Sequence, residues 1–180
     1  MMKYYIGLLS GTSVDAIDAA VIAMQDKPQL VASYSHPIPL ALNHAIHDVI
    51  QQHQPSLQTL GELNVKLGIL FADAVTQLLQ QAKLSAADII AIGSHGQTIY
   101  HHPNGDFPFS MQLGDPNVIA AKTNITTVAN FRNKDIALGG QGAPLTPVFH
   151  DAVFRSTTHR VIVNIGGIAN ITVLDHDASV

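Results

Sequence analysis

Apolar residues at the start of the chain alternate with clusters of turn-forming residues, and this pattern predicts three short β-strands. Residues 4–9 are rich in strand formers and stop at the turn cluster Ser10-Gly11-Thr12-Ser13. Residues 14–24 predict the second strand. Residues 30–36 predict the third, because the residue before Pro37 favours extended geometry. Three consecutive strands joined by short turns predict an antiparallel meander.

Helical spacing of the apolar residues begins after the meander. Residues 40–52 carry apolar side chains on one helical face, and residues 56–82 carry a longer apolar stripe with Ser56 as the predicted N-cap. Shorter helices are predicted over residues 116–123 and 147–154. The chain therefore changes from strands to helices early on.

The rest of the pattern predicts further strands and loops. The predicted strands cover residues 88–92, 107–113, 125–129, 160–164 and 168–174. Loops are predicted over residues 93–96 and 131–147, which are dense in glycine and polar residues.

This order of elements predicts an α/β domain of the ribonuclease-H-like, actin-like ATPase type, with a mixed sheet. We expect that domain to cover residues 1–158. A second strand–glycine turn–strand hairpin over residues 159–180 then predicts the opening of a second domain of the same type.

Composition narrows the class of protein. Of the 180 residues, 47% are apolar and 12% are charged, which is typical of a globular protein with ample core material. The net charge of −4 provides no basic surface for nucleic acid, and no apolar run approaches the roughly 20 residues that span a bilayer. The N-terminus has no signal-peptide pattern and the chain has no cysteine, so we expect a cytoplasmic protein without membrane or nucleic-acid partners.

Residues 10–18, called the N-terminal hairpin below, are the first candidate site. Gly11 lets backbone N–H groups approach phosphates, and the Thr12 and Ser13 hydroxyls add donors. Asp15 and Asp18 could hold Mg²⁺ through water, or Asp15 could orient a substrate hydroxyl. Taken alone, a pattern this short favours an ordinary turn followed by a strand with two solvated aspartates.

Two later segments carry candidate polar groups. His95 and Gln97 follow a predicted strand, where ligands of α/β sheets bind, and could donate to sugar hydroxyls or a carboxylate; alternatively His95 caps a backbone carbonyl. Arg132 could grip an anionic substrate group, or could form a surface ion pair with an aspartate such as Asp135. The three glycines at 139, 140 and 142 favour a close approach or a hinge.

A second glycine-turned segment, residues 164–170, could hold distal phosphates opposite the first hairpin, or could be an ordinary two-residue turn. The ten histidines do not form a convincing metal-ligand pattern: His101 and His102 are adjacent, and His44 and His47 lack a partner carboxylate at zinc-protease spacing.

The ordered set of these segments closely resembles anhydro-N-acetylmuramic acid kinases. Six segments carry the resemblance: residues 6–18, Gly93-Ser94-His95-Gly96-Gln97-Thr98, Gly114-Asp115-Pro116, Phe131-Arg132, residues 139–145 and residues 164–170. They follow the family's order and cover the whole chain.

The resemblance implies an ATP-dependent enzyme of bacterial cell-wall recycling. It would open the 1,6-anhydro ring of anhydro-N-acetylmuramic acid with water and phosphorylate O6, giving N-acetylmuramate 6-phosphate, with ATP and Mg²⁺. The implied ATP-binding residues are Gly11, Thr12, Ser13, Val14, Asp15, Ala16, Ile17, Asp18, Gly166, Gly167 and Asn170. The implied sugar-side residues are Asp15, His95, Gln97, Arg132 and Asp135, with Arg132 suited to the lactyl carboxylate. The resemblance also allows a homodimer.

The chain departs from the family pattern at several positions. Ala16 and Asn124 stand where glycine is usual, and Asn130 stands where aspartate is usual. The family's Asp-Thr-Gly-Pro-Gly-Asn-type segment, which carries the general base, is expected beyond Val180. We therefore expect no catalytic base within this chain, and a chain of only these 180 residues would be inactive. The alternatives are another sugar or acetate-type kinase of the actin-like group, and a non-catalytic actin-like binding module.

Overall fold

The computed structural model describes residues 3–52, 54–165 and 169–176. Groups of one to three strands are followed by one or two helices along the chain. In order they are β1 (Lys3–Ser10), β2 (Ala16–Met24), β3 (Pro28–Pro37), α1 (Leu40–Gln52), α2 (Leu57–Ala82), β4 (Ile89–His102), β5 (Phe109–Leu113), α3 (Pro116–Thr123), β6 (Thr127–Ala129), α4 (Phe131–Ala137), α5 (Thr146–Phe154), β7 (Arg160–Asn164) and β8 (Asn170–Leu174).

Six of the strands form one mixed sheet. Its path runs β3-β2-β1-β4-β5, and β6 pairs with the first part of β4. The meander β1-β2-β3 is antiparallel, whereas β4 is parallel to β1 and β6 is parallel to β4. An antiparallel meander followed by two parallel strands is the connectivity expected of a ribonuclease-H-like domain, so the α/β class with a mixed sheet is confirmed.

The hydrophobic core lies between one face of this sheet and the helices α1 and α2. Side chains from β1, β2 and β4 alternate into it, and Leu67, Phe71 and Leu78 of α2 are fully buried against them. Ser56 caps α2 as predicted, because its Oγ accepts from the Thr59 N–H at 3.0 Å. The helices α1 and α2 cover one face of the sheet, and the opposite face borders a cleft that Phe131 of α4 and Phe149 of α5 also line.

The predicted loop over residues 93–96 is wrong, because β4 continues through these residues to His102. Gly96 has a φ of +75°, and a Cβ built there would lie 2.6 Å from the Leu113 carbonyl oxygen. The glycine therefore serves the close approach of β5 to β4 rather than a turn that ends the strand.

The predicted loop over residues 131–147 is also partly wrong. It begins with the two-turn helix α4, in which only Ile136 is buried, so the segment carries almost no apolar periodicity. The second strand begins at Ala16 instead of residue 14, because Val14 adopts a left-handed φ of +54°.

The C-terminal strands β7 and β8 form a separate two-stranded antiparallel sheet. This hairpin packs on α5, where His150 Nδ1 lies 2.8 Å from Thr172 Oγ1 and Arg155 donates to the Asp175 carbonyl at 2.6 Å. Its other face exposes the cross-strand pairs Val161–Val173 and Val163–Ile171. Among the helices of the described residues, none has the length and apolar character that crossing a lipid bilayer requires.

Candidate functional site

The N-terminal hairpin connects β1 to β2 through a tight turn. The Val14 N–H donates to the Gly11 carbonyl at 3.2 Å, which closes the turn. The backbone N–H groups of Thr12 and Ser13 make no hydrogen bond within the described residues, and both residues are exposed. No atom lies within 4 Å of a Cβ built on Gly11. The turn thus offers free amide donors and an open approach, which an anion requires.

Asp15 and Asp18 of the hairpin are exposed, and in each of them the side-chain hydrogen bond described next uses Oδ1. Asp15 Oδ1 accepts from the Ser13 hydroxyl at 2.5 Å, and Asp18 Oδ1 accepts from the Ser35 hydroxyl at 2.8 Å. The hydrogen bond from Ser13, followed by bonds from backbone N–H groups, lowers the pKa of the Asp15 carboxyl below its usual range. Asp15 is therefore an anion throughout the neutral range.

A cleft of about 470 Å³, called the central cleft below, opens where the N-terminal hairpin meets β4, α4 and the β7–β8 hairpin. It brings together six of the residues that the sequence predicted for ATP or sugar binding. They are Gly11, Thr12, His95, Gln97, Arg132 and Asn170.

Other predicted residues lie outside this lining. Asp18 borders an adjacent, largely apolar cleft on the open face of the sheet. Val14 and Ile17 are fully buried as whole residues, so they support the hairpin from the core side and present no surface to a ligand. Gly166 and Gly167 lie outside the described residues.

His95 and Arg132 form a bonded pair on one wall of the central cleft. Arg132 Nε donates to His95 Nε2 at 2.8 Å, which requires that Nε2 carry no proton. The other ring nitrogen, Nδ1, lies 2.9 Å from the Gly96 carbonyl oxygen and donates to it in that tautomer. Burial, and then the Arg132 charge, lower the pKa of the His95 ring below its usual value. His95 is therefore neutral and orients the Arg132 guanidinium.

The glycine-rich segment is held by α4. Arg132 Nη1 donates to the Gly142 carbonyl at 2.6 Å, and the Gly142 N–H donates to Asp135 Oδ2 at 2.7 Å. A Cβ built on Gly140 would overlap the Asp135 carboxylate. Asp135 thus holds the loop that carries Gly142, and the Gly142 carbonyl in turn holds Arg132. The predicted close approach is present at Gly140 and Gly142, whereas no atom lies within 4 Å of a Cβ built on Gly139.

Gln97 is almost completely buried at the base of the cleft. Its Oε1 accepts from the Ser10 hydroxyl at 2.6 Å, and its Nε2 donates to the Thr98 carbonyl at 3.1 Å. This pair joins the end of β1, where the N-terminal hairpin begins, to β4. Gln97 borders the central cleft, but both its amide oxygen and its amide nitrogen already bond to groups of the protein.

Three side chains to which the sequence analysis assigned no individual role also shape the site. Ser10 bonds Gln97, Asn43 of α1 bonds the N-terminal hairpin, and Asn133 of α4 bonds β5. The Asn133 side chain accepts from the Ser110 N–H and donates to the Ser110 carbonyl, both at 2.8 Å. These contacts join residues far apart in sequence, which a local pattern does not reveal.

Two of the departures from the family pattern occupy left-handed backbone. Asn124 has a φ of +55° at the C-cap of α3, and Asn130 has a φ of +64° at the start of α4. Asparagine tolerates this conformation better than most residues other than glycine. The Asn130 side chain also accepts from Asn133 at 2.7 Å, which anchors the first turn of α4.

The types of residue present are those that suit a nucleoside triphosphate with Mg²⁺. Free amides at a glycine turn suit phosphate oxygens, and carboxylate oxygens of Asp15 and Asp18 suit Mg²⁺ or its water shell. Within the described residues, no group of three or more His, Asp or Glu side chains is arranged to hold a metal ion directly. A metal at this site would therefore depend on water and phosphate for most of its ligands.

Comparisons with known proteins identify relatives of the whole chain. The profile of a family described as anhydro-N-acetylmuramic acid kinase matches residues 3–180. A protein named anhydro-N-acetylmuramic acid kinase from Vibrio vulnificus (strain YJ016) is 54% identical over 176 residues, which are 96% of this chain and 47% of the relative. Proteins of the same name from Coxiella burnetii (strain Dugway 5J108-111) and Mannheimia succiniciproducens are 52% and 47% identical.

The Coxiella match covers 96% of this chain and 46% of that relative, and the Mannheimia match covers 98% and 48%. This chain therefore spans about half the length of the curated relatives it matches. Among solved structures, a ROK hexokinase from Thermus thermophilus aligns with 95% of this chain and 46% of its own, at 11% identity and a TM-score of 0.42.

Proposed function

This chain belongs to the anhydro-N-acetylmuramic acid kinase family, and from that premise we propose that it serves the ATP-dependent opening and phosphorylation of 1,6-anhydro-N-acetylmuramic acid. In the proposed reaction, water adds to C1 while the bond between C1 and O6 breaks. O6 takes the γ-phosphoryl group of ATP, giving N-acetylmuramate 6-phosphate and ADP. The product belongs to cell-wall recycling. Because the reaction consumes ATP, we propose the cytoplasm as its compartment.

One observation carries the proposal: phosphate-type and sugar-type groups border the same cleft. Gly11 and Thr12 of the N-terminal hairpin lie on one side, and the His95–Arg132 pair lies on another. Phosphoryl transfer depends mainly on positioning and charge stabilisation. A turn with free N–H donors next to the Arg132 guanidinium offers both.

We assign the following roles within this proposal. The amides of Thr12 and Ser13 bind phosphate oxygens, and Asp15 and Asp18 hold Mg²⁺ through water. Arg132 binds the lactyl carboxylate of the sugar, because its guanidinium keeps N–H groups beyond the two that bond His95 and Gly142. His95 and Asp135 position Arg132. Mg²⁺, when bound, would supply charge neutralisation at the phosphates.

We also propose that residues 159–180 form the opening hairpin of a second domain of the ribonuclease-H-like type. Two features support this proposal: β7 and β8 form a sheet apart from the main one, and the relatives are about twice as long as this chain. The exposed apolar pairs of that hairpin further support association with another polypeptide surface, either the second domain or another copy.

Phosphate transfer from radiolabelled ATP tests the proposal on the intact gene product that carries this sequence. The acceptors would be 1,6-anhydro-N-acetylmuramic acid, the same sugar lacking its lactyl group, and glucose. We expect label in the first sugar and a strong loss of transfer with the second. Transfer to glucose but not to the anhydro sugar would contradict the proposed substrate and indicate a different sugar kinase. An absence of ATP binding would favour a non-catalytic module.

A further inference from the structure

A side chain of α1 holds the N-terminal hairpin from the side of the core. Asn43 Nδ2 donates to the Val14 carbonyl at 2.8 Å and lies 3.4 Å from the Ser13 carbonyl oxygen. Asn43 is partly buried and follows the hairpin by about 30 residues in sequence. The contact therefore ties the first helix to the turn that the proposed function uses for phosphate.

The backbone at Val14 needs this support. A β-branched residue at a φ of +54° is strained, since its side chain crowds its own backbone in the left-handed region. The Val14 side chain is fully buried in the core, which fixes it on the inner side of the hairpin. A strained conformation persists only where surrounding contacts hold it, and the Asn43 amide provides one of those contacts.

The direction of each carbonyl determines the direction of the N–H in the same peptide group. The C=O and N–H of one planar trans peptide group point in opposite directions. When Asn43 draws the Ser13 carbonyl towards α1, the Val14 N–H of the same peptide group points away, towards the Gly11 carbonyl that it bonds at 3.2 Å. Both carbonyl oxygens, which would repel a phosphate, are thus turned towards α1.

We propose that Asn43 is a positioning residue for phosphate binding by the N-terminal hairpin. The inference rests on the proposed function, which gives the hairpin its ligand. Asn43 acts without contacting that ligand. It keeps the Ser13 and Val14 carbonyls away from the site, and it holds the turn that the Val14 N–H closes on the Gly11 carbonyl, whose two central residues, Thr12 and Ser13, carry the free amides.

The test replaces Asn43 in the intact gene product and compares the KM values for ATP and for the anhydro sugar. Asn43→Leu keeps the size of the side chain and removes its donors. Asn43→Asp is closer in shape and also lacks them. We expect either variant to raise the KM for ATP about three- to tenfold, the effect of one hydrogen bond, with the KM for the sugar within about twofold.

His44→Leu, at the exposed neighbouring position of α1, is the matched control and should change neither KM. Equal rises of the two KM values in both folded Asn43 variants, or an unchanged KM for ATP, would overturn the positioning role. If the unmodified protein has no ATP-dependent turnover, the proposed function fails, and that failure is distinct because it precedes any substitution.

Discussion

At the scale of single residues, the Arg132 guanidinium is held in place at two of its nitrogen atoms. Its Nε and Nη1 are fixed by His95 and Gly142, so the remaining N–H groups of the guanidinium are presented to the central cleft in one orientation. A preoriented fork suits the two oxygens of a carboxylate better than a flexible ammonium does.

Substitution of Arg132 should therefore affect the sugar much more than the nucleotide. Loss of a charge-assisted hydrogen bond of about 1.5–3 kcal/mol predicts that Arg132→Ala raises the KM for the anhydro sugar by about 10- to 100-fold. The KM for ATP should stay within about threefold. Steady-state kinetics with each substrate varied in turn would measure both values. Arg132→Lys keeps the charge but not the planar guanidinium, so its KM for the anhydro sugar should lie between those of the unmodified protein and Arg132→Ala. Equal effects of Arg132→Ala on both KM values would contradict a carboxylate-binding role.

His95 should make the stability of the protein depend on pH. The folded pKa of its ring is lowered, so the unfolded chain takes up the proton more readily than the folded one. The stabilising effect is fully present above the ordinary value of about 6.5, and it is lost as the pH falls through the folded pKa. Protonation would also remove the acceptor that Nε2 offers to Arg132.

Urea unfolding between about pH 8 and pH 5 would measure this effect. The free energy of unfolding should fall more steeply for the unmodified protein than for His95→Gln, because the glutamine side chain does not titrate in this range. Parallel curves for the two proteins would mean that the ring does not contribute to the pH dependence.

At the scale of elements, α2 offers two glycines in contrasting surroundings. No atom lies within 4 Å of a Cβ built on the exposed Gly61, whereas a Cβ on the buried Gly68 would lie 2.9 Å from the Asp115 carbonyl oxygen and 3.0 Å from Val118 Cβ. Gly68 therefore lets the N-terminus of α3 approach α2, and Gly61 has only the entropic cost of a glycine in a helix.

Gly61→Ala should stabilise the protein by about 0.5–1 kcal/mol, because alanine restricts the unfolded chain. Gly68→Ala should destabilise it by about 1–3 kcal/mol through overpacking against α3. Denaturant unfolding of the two variants measures both values with the same chemical change in the same helix. A Gly68→Ala variant as stable as Gly61→Ala would mean that α3 moves aside freely.

The sequence predicted the bounds of α1, α3 and β7 correctly, but it missed α4 and most of β4. The bounds of α1 match the prediction over residues 40–52, since a helix of this length repeats its apolar face several times. The helix α4 has only one buried residue and left no such signal. The extension of β4 was missed because Gly93 and Gly96 resemble a turn, although a glycine can equally mark a close approach of two strands.

The candidate site was predictable in its residue types but not in its connections. His95, Arg132 and the N-terminal hairpin stood out because polar and glycine residues followed strands. The bond between His95 and Arg132 spans 37 residues, and that between Asn43 and Val14 spans 29. Contacts at such separations depend on the complete sheet topology, which no local pattern contains.

At the scale of the whole molecule, the β7–β8 hairpin presents an uncovered apolar face. Val161, Val163, Ile171 and Val173 are each more than half exposed and lie side by side in two cross-strand pairs. Contiguous apolar surface of this kind is a site of association.

We therefore expect the 180-residue chain, prepared alone, to self-associate through this face. The double variant Val161→Thr/Val163→Thr keeps strand propensity and adds hydroxyls, so it should sediment as a smaller species at equal concentration. Val65→Thr, at an exposed position of α2, is the matched control and should sediment like the unmodified chain. Identical sedimentation of the double variant would locate the contact on another surface.

The contact between Asn133 and Ser110 has a consequence for how the chain emerges from the ribosome. The Asn133 side chain bonds the backbone of β5 as a neighbouring strand would, through both the N–H and the carbonyl of Ser110. Those two groups lack this partner until Asn133 has been synthesised, 23 residues later. At about 5–20 residues per second this leaves the strand open for about one to five seconds, during which another nascent chain could add to it.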